Sequence, residues 1–246
     1  MNFGLSGKVA VVTGGARGIG RAICLGLADE GVDVGVLDVL ADGAEETAQM
    51  IRAKGRKASA LKADLADPES IRLAFDKATA EVGAADILVC CAAITNNMAT
   101  IAKMPVEKWN WELSVNLSGA FYCIKQVGPT MIERKWGRIV LISSKASVDG
   151  AFGQCSYASS KGGINALAKT TALEYGRFGV TANIVYPALV NTPATAGLPG
   201  DVVARITADG RRLQEPEEVA SVVTFLVSDQ ARSITGAEIP TMTPAI

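Results

Sequence analysis

Two alternating hydrophobic periods constrain what this chain can fold into. Short runs rich in apolar and β-branched residues recur at 9–13, 33–38, 57–62, 86–91, 138–143 and 181–186, with a shorter one at 238–240. Between them lie longer stretches of helical period at 18–30, 43–54, 68–82, 106–134, 154–177 and 216–228. Strands with apolar side chains on both faces have no side for water, so their sheet must be covered twice. Helical connections between parallel strands provide the cover, and right-handed crossovers then give a doubly wound α/β sheet with helices on both faces. No linker, repeat or low-complexity segment interrupts the pattern, so residues 1–246 are expected to form one domain. The segment 191–212, rich in Pro, Gly, Thr and Ala, follows the sixth strand at the edge where such sheets bind ligands, and reads as a substrate lid.

Composition narrows the chemistry. The chain has no histidine, which removes Ser-His-Asp and Cys-His catalysis and HExxH metal sites. Proton transfer must then fall to Tyr, Lys, Asp or Glu. Five cysteines, Cys24, Cys90, Cys91, Cys123 and Cys155, form no CxxC pair and read as buried reduced thiols, so no metal site is expected. Lys and Arg number 24 against 25 Asp and Glu, a balance that favours neither nucleic acid nor an anionic membrane. The first residues show no basic region followed by a long apolar stretch. The longest apolar runs fall far below the ~20 residues of a membrane helix. A cytoplasmic protein is expected.

Thr13-Gly14-Gly15-Ala16-Arg17-Gly18-Ile19-Gly20 joins the first strand to the first helix. Glycines there allow a tight turn and let a pyrophosphate approach helix N-terminal N–H groups, though glycine-rich turns also serve structure alone. Asp38 ends the second strand, 18 residues past Gly20, near the ~20 expected of an acid that holds an adenosine ribose. Its charge would repel a 2′-phosphate, which favours NAD; Arg17 cuts the other way, since a basic side chain in the turn can reach a phosphate. Asp64 and Leu65, just past the third strand, are placed to flank an adenine.

In the second half Ser144 ends the fifth strand, Tyr157 follows 13 residues later, and Lys161 lies four beyond it. Tyr157 and Lys161 thus share one face of a helix. Reducing a carbonyl leaves an oxygen that needs a proton, and the reverse reaction needs a base. A free tyrosine has a pKa near ~10, too high for a base at neutral pH. A neighbouring ammonium favours the phenolate, so Lys161 is expected to lower that pKa. Ser144 can hydrogen-bond the substrate oxygen.

On these motifs the chain resembles the short-subunit branch of the short-chain dehydrogenase/reductase family along essentially its full length. The matching segments are TGGARGIG, Asp64-Leu65, Asn116 in SVNLSGAF, Ser144, Tyr157-Ala-Ser-Ser-Lys161, and Pro187 through Thr192. The resemblance implies a Rossmann-type domain, an NAD cofactor and a small-molecule substrate. It implies that Ser144, Tyr157, Lys161 and Asn116 are catalytic, with Asn116 ordering a water that extends a relay from Lys161. It further implies that Gly14, Arg17, Gly18, Ile19 and Gly20 hold the pyrophosphate, that Cys91 and Ala92 pass the cofactor ribose, and that Lys161 bonds it. Pro187, Val190 and Thr192 would hold the carboxamide, and helices 106–134 and 154–177 would build a homotetramer. The chain departs from the family at Cys90-Cys91-Ala92-Ala93, where Asn-Asn-Ala-Gly is usual, at Pro187-Ala188 for Pro-Gly, and at its C-terminal ITGAEIPTMTPAI.

Three functions fit this pattern. One is an NAD-dependent dehydrogenase of secondary alcohols, cyclic or aryl. Another is a 3-oxoacyl carrier-protein reductase, for which 132–138 and Arg177 offer basic surface. The third is a catalytically dead cofactor-sensing protein, which would typically lose the Tyr or Lys that both stand here.

Overall fold

The computed structural model describes residues 3–196, 200, 204 and 212–243. Its strands are β1 (Val9–Thr13), β2 (Asp33–Asp38), β3 (Ala58–Lys62), β4 (Ile87–Cys90), β5 (Gly137–Ile142), β6 (Val180–Pro187) and β7 (Glu238–Thr241). They lie in one sheet of order β3-β2-β1-β4-β5-β6-β7, with every neighbouring pair parallel. Parallel neighbours need crossovers, and helices supply them. The described helices are α1 (Gly18–Asp29), α2 (Ala41–Ala53), α3 (Pro68–Glu81), α4 (Val106–Leu113), α5 (Gly119–Arg134), α6 (Ala146–Asp149), α7 (Cys155–Tyr175) and α8 (Pro216–Leu226).

Alternation along β1 shows how the sheet is covered. Val9 and Val11 pack into one core with Ile71 and Phe75 of α3, Val127 of α5 and Ile164 of α7. Ala10 and Val12 face the other core, with Ile23 and Leu27 of α1, Ile51 of α2 and Val223 of α8. Each large apolar side chain so buried contributes about 1.5–3 kcal/mol, which is why the uniformly apolar strands end up central. No helix among the described residues is long and apolar enough to cross a membrane.

β1 pairs with β2 on one side and with β4 on the other, so the winding reverses between β1 and β4. Crevices form beyond the strand ends at such a reversal. The register brings Thr13 level with Leu37 and Cys90, and Cys90 level with Leu141. The residues that follow those strand ends therefore open into one place.

The structure departs from the expected elements where side chains bond to backbone. The helix expected over 106–134 is interrupted by a π-helical stretch, Ser114–Ser118. Asn116 sits inside it and bonds outward to the backbone at Ile94, and π-bulges arise often at functional sites. The short α6 and a 3-10 turn at Ile101–Lys103 carry too few residues to show a period. The lid expected at 191–212 falls mostly outside the described residues.

Close backbone approach fixes the glycine turn. A Cβ on Gly20 would lie 2.1 Å from the Gly14 carbonyl oxygen, and one on Gly14, whose φ is +72°, would lie 2.8 Å from Ala92 Cα. Gly20→Ala should therefore lower the unfolding free energy by about 1–3 kcal/mol, the usual cost of forcing atoms into a packed site. Gly176→Ala is the control. Its backbone is right-handed and its added methyl meets nothing within 4 Å, so it should be neutral or stabilising by up to about 1 kcal/mol. Urea unfolding of both variants checks the difference.

Candidate active site

The turn after β1 is closed by the N–H groups of Gly14 and Gly15, which donate to the Leu37 carbonyl at 2.8 and 3.2 Å. Helix α1 starts at Gly18 with no side-chain cap and no acid in its first turn. Its positive dipole end is thus open to an anion. Arg17 is exposed at this N-cap, and Ile19 is half-buried. Asp38 is held against the turn: its Oδ2 accepts from Ala16 N and its Oδ1 from Leu40 N, both at 3.0 Å. Arg21 braces the same turn from below, donating to the Ala16 carbonyl, to Thr47 Oγ1 at 2.9 Å and to Glu46 at 2.9 Å. The Thr47 hydroxyl donates to the Gly15 carbonyl at 3.0 Å.

Asp64 is exposed and closes its own turn by accepting from Ala66 N at 2.9 Å. Leu65 is buried, and a Cβ on Gly119 would lie 2.7 Å from its side chain. Its side chain belongs mainly to the core under α5.

At the end of β4 the departures from the family pattern find a partner. Cys91 N and Ala92 N both donate to Thr13 Oγ1, at 3.0 and 3.2 Å. The Thr13 hydroxyl ties the two central strand ends without help from an asparagine at position 90. Cys90 turns inward, and the Cys123 thiol is held well above its usual range by a hydrogen bond with it and by burial. Burial likewise pushes Cys91 up to about 12, so neither Cys91 nor Cys123 is a ready nucleophile. All five cysteines are free.

Tyr157 and Lys161 project from α7 toward the ends of β4 and β5. The Lys161 Nζ is buried, donates to the Ile142 carbonyl at 2.7 Å and lies 5.7 Å from the Tyr157 ring centroid. Burial lowers its pKa to about 8, against the opposing influence of Cys91, Cys90 and Glu112. The Tyr157 phenol behaves otherwise than the sequence suggested. Burial raises its pKa, a hydrogen bond with Ser144 pulls it down, and Glu112 and Cys91 raise it further. The groups that move it are Ser144, Glu112 and Cys91 rather than Lys161, and desolvation of the phenol is the largest effect. Ser144 Oγ also accepts from Ala146 N at 3.2 Å, which fixes it at the start of α6.

Asn116 is buried one helix away. Its Oδ1 accepts from Ile94 N at 2.7 Å, and its Nδ2 donates to the Ile94 carbonyl at 2.9 Å and to Ser160 Oγ at 3.1 Å. It clamps the chain that leaves β4 against α7 between Tyr157 and Lys161. On the far side the loop after β6 folds back toward the glycine turn. Ala188 follows Pro187 and donates to the Thr241 carbonyl at 2.9 Å. Thr195 Oγ1 donates to the Val190 carbonyl at 2.6 Å and accepts from Thr192 N at 3.0 Å. A Cβ on Gly18 would lie 3.2 Å from Thr192 Cγ2. The strand ends therefore bring together Gly14–Gly20, Asp38, Cys91–Ala92, Asn116, Ser144, Tyr157, Lys161 and Val190–Thr192. Sequence reasoning missed Thr13, Arg21, Thr47, Glu112 and the serines before Tyr157 and Lys161. The four-residue spacing of Ser156 and Ser160 was the available signal. No group of three or more His, Cys, Asp or Glu side chains among the described residues is placed to hold a metal.

The chain is similar to known proteins along most of its length. Positions 8–201 match the family described as short chain dehydrogenase. The chain is 37% identical over 232 residues to a cis-4-hydroxycyclohexanecarboxylate dehydrogenase of Sinomonas cyclohexanicum, covering 94% of this chain and 93% of that one. It is 38% identical over 238 residues to the 3-oxoacyl-(acyl-carrier-protein) reductase FabG of Escherichia coli K12, covering 96% and 95%. It is 34% identical over 238 residues to a cyclohexanol dehydrogenase of Acinetobacter strain SE19, covering 97% and 94%. Among solved structures, a Sinorhizobium meliloti 1021 protein described as a short-chain alcohol dehydrogenase superposes with a TM-score of 0.93 at 33% identity, covering 98% and 96%.

The buried ammonium gives a pH signature with a definite sign. Lys161 holds its proton less tightly when folded, at about 8, than at its ordinary 10.5. The unfolded chain thus binds more protons between those values, and stability must rise with pH across that window. Relative to Lys161→Met, the wild type should gain on the order of 3 kcal/mol between the two ends of the window. Denaturant titrations of both proteins across it check this; a difference independent of pH would contradict it.

Proposed function

The chain belongs to the short chain dehydrogenase family, and on that premise we propose that it moves a hydride between NAD(H) and a cyclic or aryl secondary alcohol or ketone. The observation that carries the chemistry is Tyr157 placed where Ser144 lowers its pKa, with Lys161 buried one helical turn on and 5.7 Å from its ring centroid. The cradle fits a dinucleotide: its glycines let the turn after β1 close tightly against Ala92 and α1, and an uncapped helix start with no acid in its first turn leaves N–H groups for the pyrophosphate. Gly14, Arg17, Gly18, Ile19 and Gly20 would hold the pyrophosphate, Asp38 the adenosine ribose, and Asp64 and Leu65 the adenine. Cys91 and Ala92 would line the ribose, with Lys161 bonding its hydroxyls, and Pro187, Val190 and Thr192 would hold the carboxamide. The nicotinamide, when bound, supplies or accepts the hydride.

Ser144 holds the substrate oxygen. Tyr157, kept protonated at neutral pH by burial, gives its proton to that oxygen in reduction and takes it back in oxidation. Lys161 stands one helical turn behind the phenol to pass the proton on, and Asn116 orders the chain behind it for that relay. An open cleft of about 430 Å³ lined by Ala99, Ile101, Phe152 and Cys155 offers apolar surface at the start of α7, the helix that carries Tyr157, and supports an apolar ring as substrate. Two relatives named for hydroxycyclohexane and cyclohexanol chemistry agree with it. A second reading, reduction of 3-oxoacyl groups on a carrier protein, is favoured by the 38% identity to such a reductase. Exposed Trp111, Phe121 and Leu173 on α4, α5 and α7 support a homotetramer, and buried free thiols support a reducing, cytoplasmic setting.

The fixed Asp38 carboxylate should make NAD at least about tenfold better than NADP in kcat/KM, or ~1.4 kcal/mol in the transition state. Asp38→Ser with Val39→Arg should narrow or reverse that preference. Steady-state assays with both cofactors on a panel of cyclic secondary alcohols measure it, and equal use by the wild type would favour Arg17 over Asp38. Tyr157→Phe keeps the ring but removes the exchangeable proton, so kcat should fall by about 10²–10⁴-fold while NAD affinity stays within a few fold. Loss of affinity in step with kcat would give Tyr157 a binding role instead.

A further inference from the structure

Glu112 is an acid where the fold has no evident use for one. It is fully buried near the end of α4, one turn before Asn116 in the π-helical stretch. Its Oε2 accepts from Ser156 Oγ at 2.6 Å and from Asn97 Nδ2 at 3.1 Å. Its Oε1 is buried with no hydrogen-bond partner among the described residues. A buried carboxylate without a cationic partner is costly, and Glu112 forms no ion pair among the described residues.

Its bonds repeat those of Asn116. Asn116 joins the chain after β4, at Ile94, to Ser160 of α7. Glu112 joins the same segment, three residues on at Asn97, to Ser156 of α7. Each rung grips the residue immediately before a functional side chain: Ser156 precedes Tyr157, and Ser160 precedes Lys161. The two rungs differ in that one is a neutral amide and the other a carboxylate.

We propose that Glu112 is a positioning residue of the proton machinery, clamping the start of α7 through Ser156 and Asn97 and placing its carboxylate behind Tyr157 and Lys161. The groups that face this pair are Ser144 from the end of β5, Cys90 and Cys91 from β4 and its end, and Glu112 from α4. Of these, Glu112 and the two thiols carry or can acquire charge, and burial holds the Cys91 thiol up at about 12, protonated at working pH. The Glu112 charge makes both Tyr157 and Lys161 hold their protons more tightly. Removing it must release both protons at lower pH. The consequence is an enzyme whose phenol is kept a proton donor, with oxidation displaced toward higher pH.

This inference rests on the proposed catalytic reading, so its test needs a readout that works without a known substrate. Lys161 supplies one: with its pKa lowered to about 8, its ε-carbon should titrate apart from the other lysines in ¹³C-lysine NMR, the resonance being assigned with Lys161→Met. Glu112→Gln keeps an acceptor for Ser156 and Asn97 but removes the charge. It should lower the Lys161 midpoint by at least about half a pH unit, the scale of a nearby buried charge, and shift the rise of alcohol oxidation to lower pH in parallel. Glu112→Leu, which also leaves no buried carboxylate to satisfy, should move the midpoint the same way, and Glu112→Asp should restore it. A midpoint unmoved in a folded Gln or Leu variant overturns the proposal. So does a chain that folds only with a carboxylate at position 112, since the residue would then serve stability. A shifted midpoint without turnover on any alcohol would leave Glu112 in this role and count against the substrate reading alone.

Discussion

Where the winding of the sheet reverses, the Thr13 hydroxyl accepts the N–H groups of Cys91 and Ala92 and so sets the distance between the two central strand ends. The rest of the site is measured from that contact. The approach of Ala92 leaves no space for a side chain on Gly14, and Gly14 in turn leaves none on Gly20. Helix α1 therefore begins with its N–H groups facing the opening between the strands. A buried hydroxyl that takes two backbone donors is worth more than an average bond, because losing it strands both donors, at about 1–3 kcal/mol each.

From that junction the two halves of the site divide the work. The β1–β2 side offers open N–H groups, a helix dipole and the anchored Asp38 carboxylate, a surface suited to a charged dinucleotide with free ribose hydroxyls. On the β4–β5 side, burial raises the Tyr157 pKa and brings Lys161 down to about 8. Burial thus sets the two proton affinities moving toward opposite protonation states, and the carboxylate of Glu112 opposes that trend at Lys161 while adding to it at Tyr157. Without histidine in the chain, this balance between desolvation and fixed charge is what remains for acid–base chemistry near neutral pH.

The sheet was legible in the sequence because a buried parallel strand has a plain apolar signature, and Val9–Thr13, Ile87–Cys90 and Gly137–Ile142, mostly apolar in sequence, are buried at every position. The glycine turn, Asp38, Tyr157 and Lys161 were legible because spacing along one strand end or one helix face determines where they meet. The break in the helix before Asn116 was not, since a π-turn is stabilised by bonds to Ile94, which lies 22 residues away. Thr13 looked like the last residue of a strand, and only the fold brings position 91 to it. Nothing in the helical stretch around Glu112 marks it for burial in the sequence. Its burial follows from Ser156 and Asn97, which come from two other segments, and no local pattern encodes that convergence.

The central claim is that one crevice, set by the Thr13 junction, holds the dinucleotide and the proton donor together. A crystal structure of the protein with NADH tests it most directly. The account predicts the pyrophosphate over Gly14–Gly20, the adenosine ribose hydroxyls on the Asp38 carboxylate, and the nicotinamide beside Tyr157 and Lys161 with Thr192 near its carboxamide. A dinucleotide bound elsewhere, or one whose ribose turns away from Asp38 and whose nicotinamide does not reach Tyr157, would contradict it.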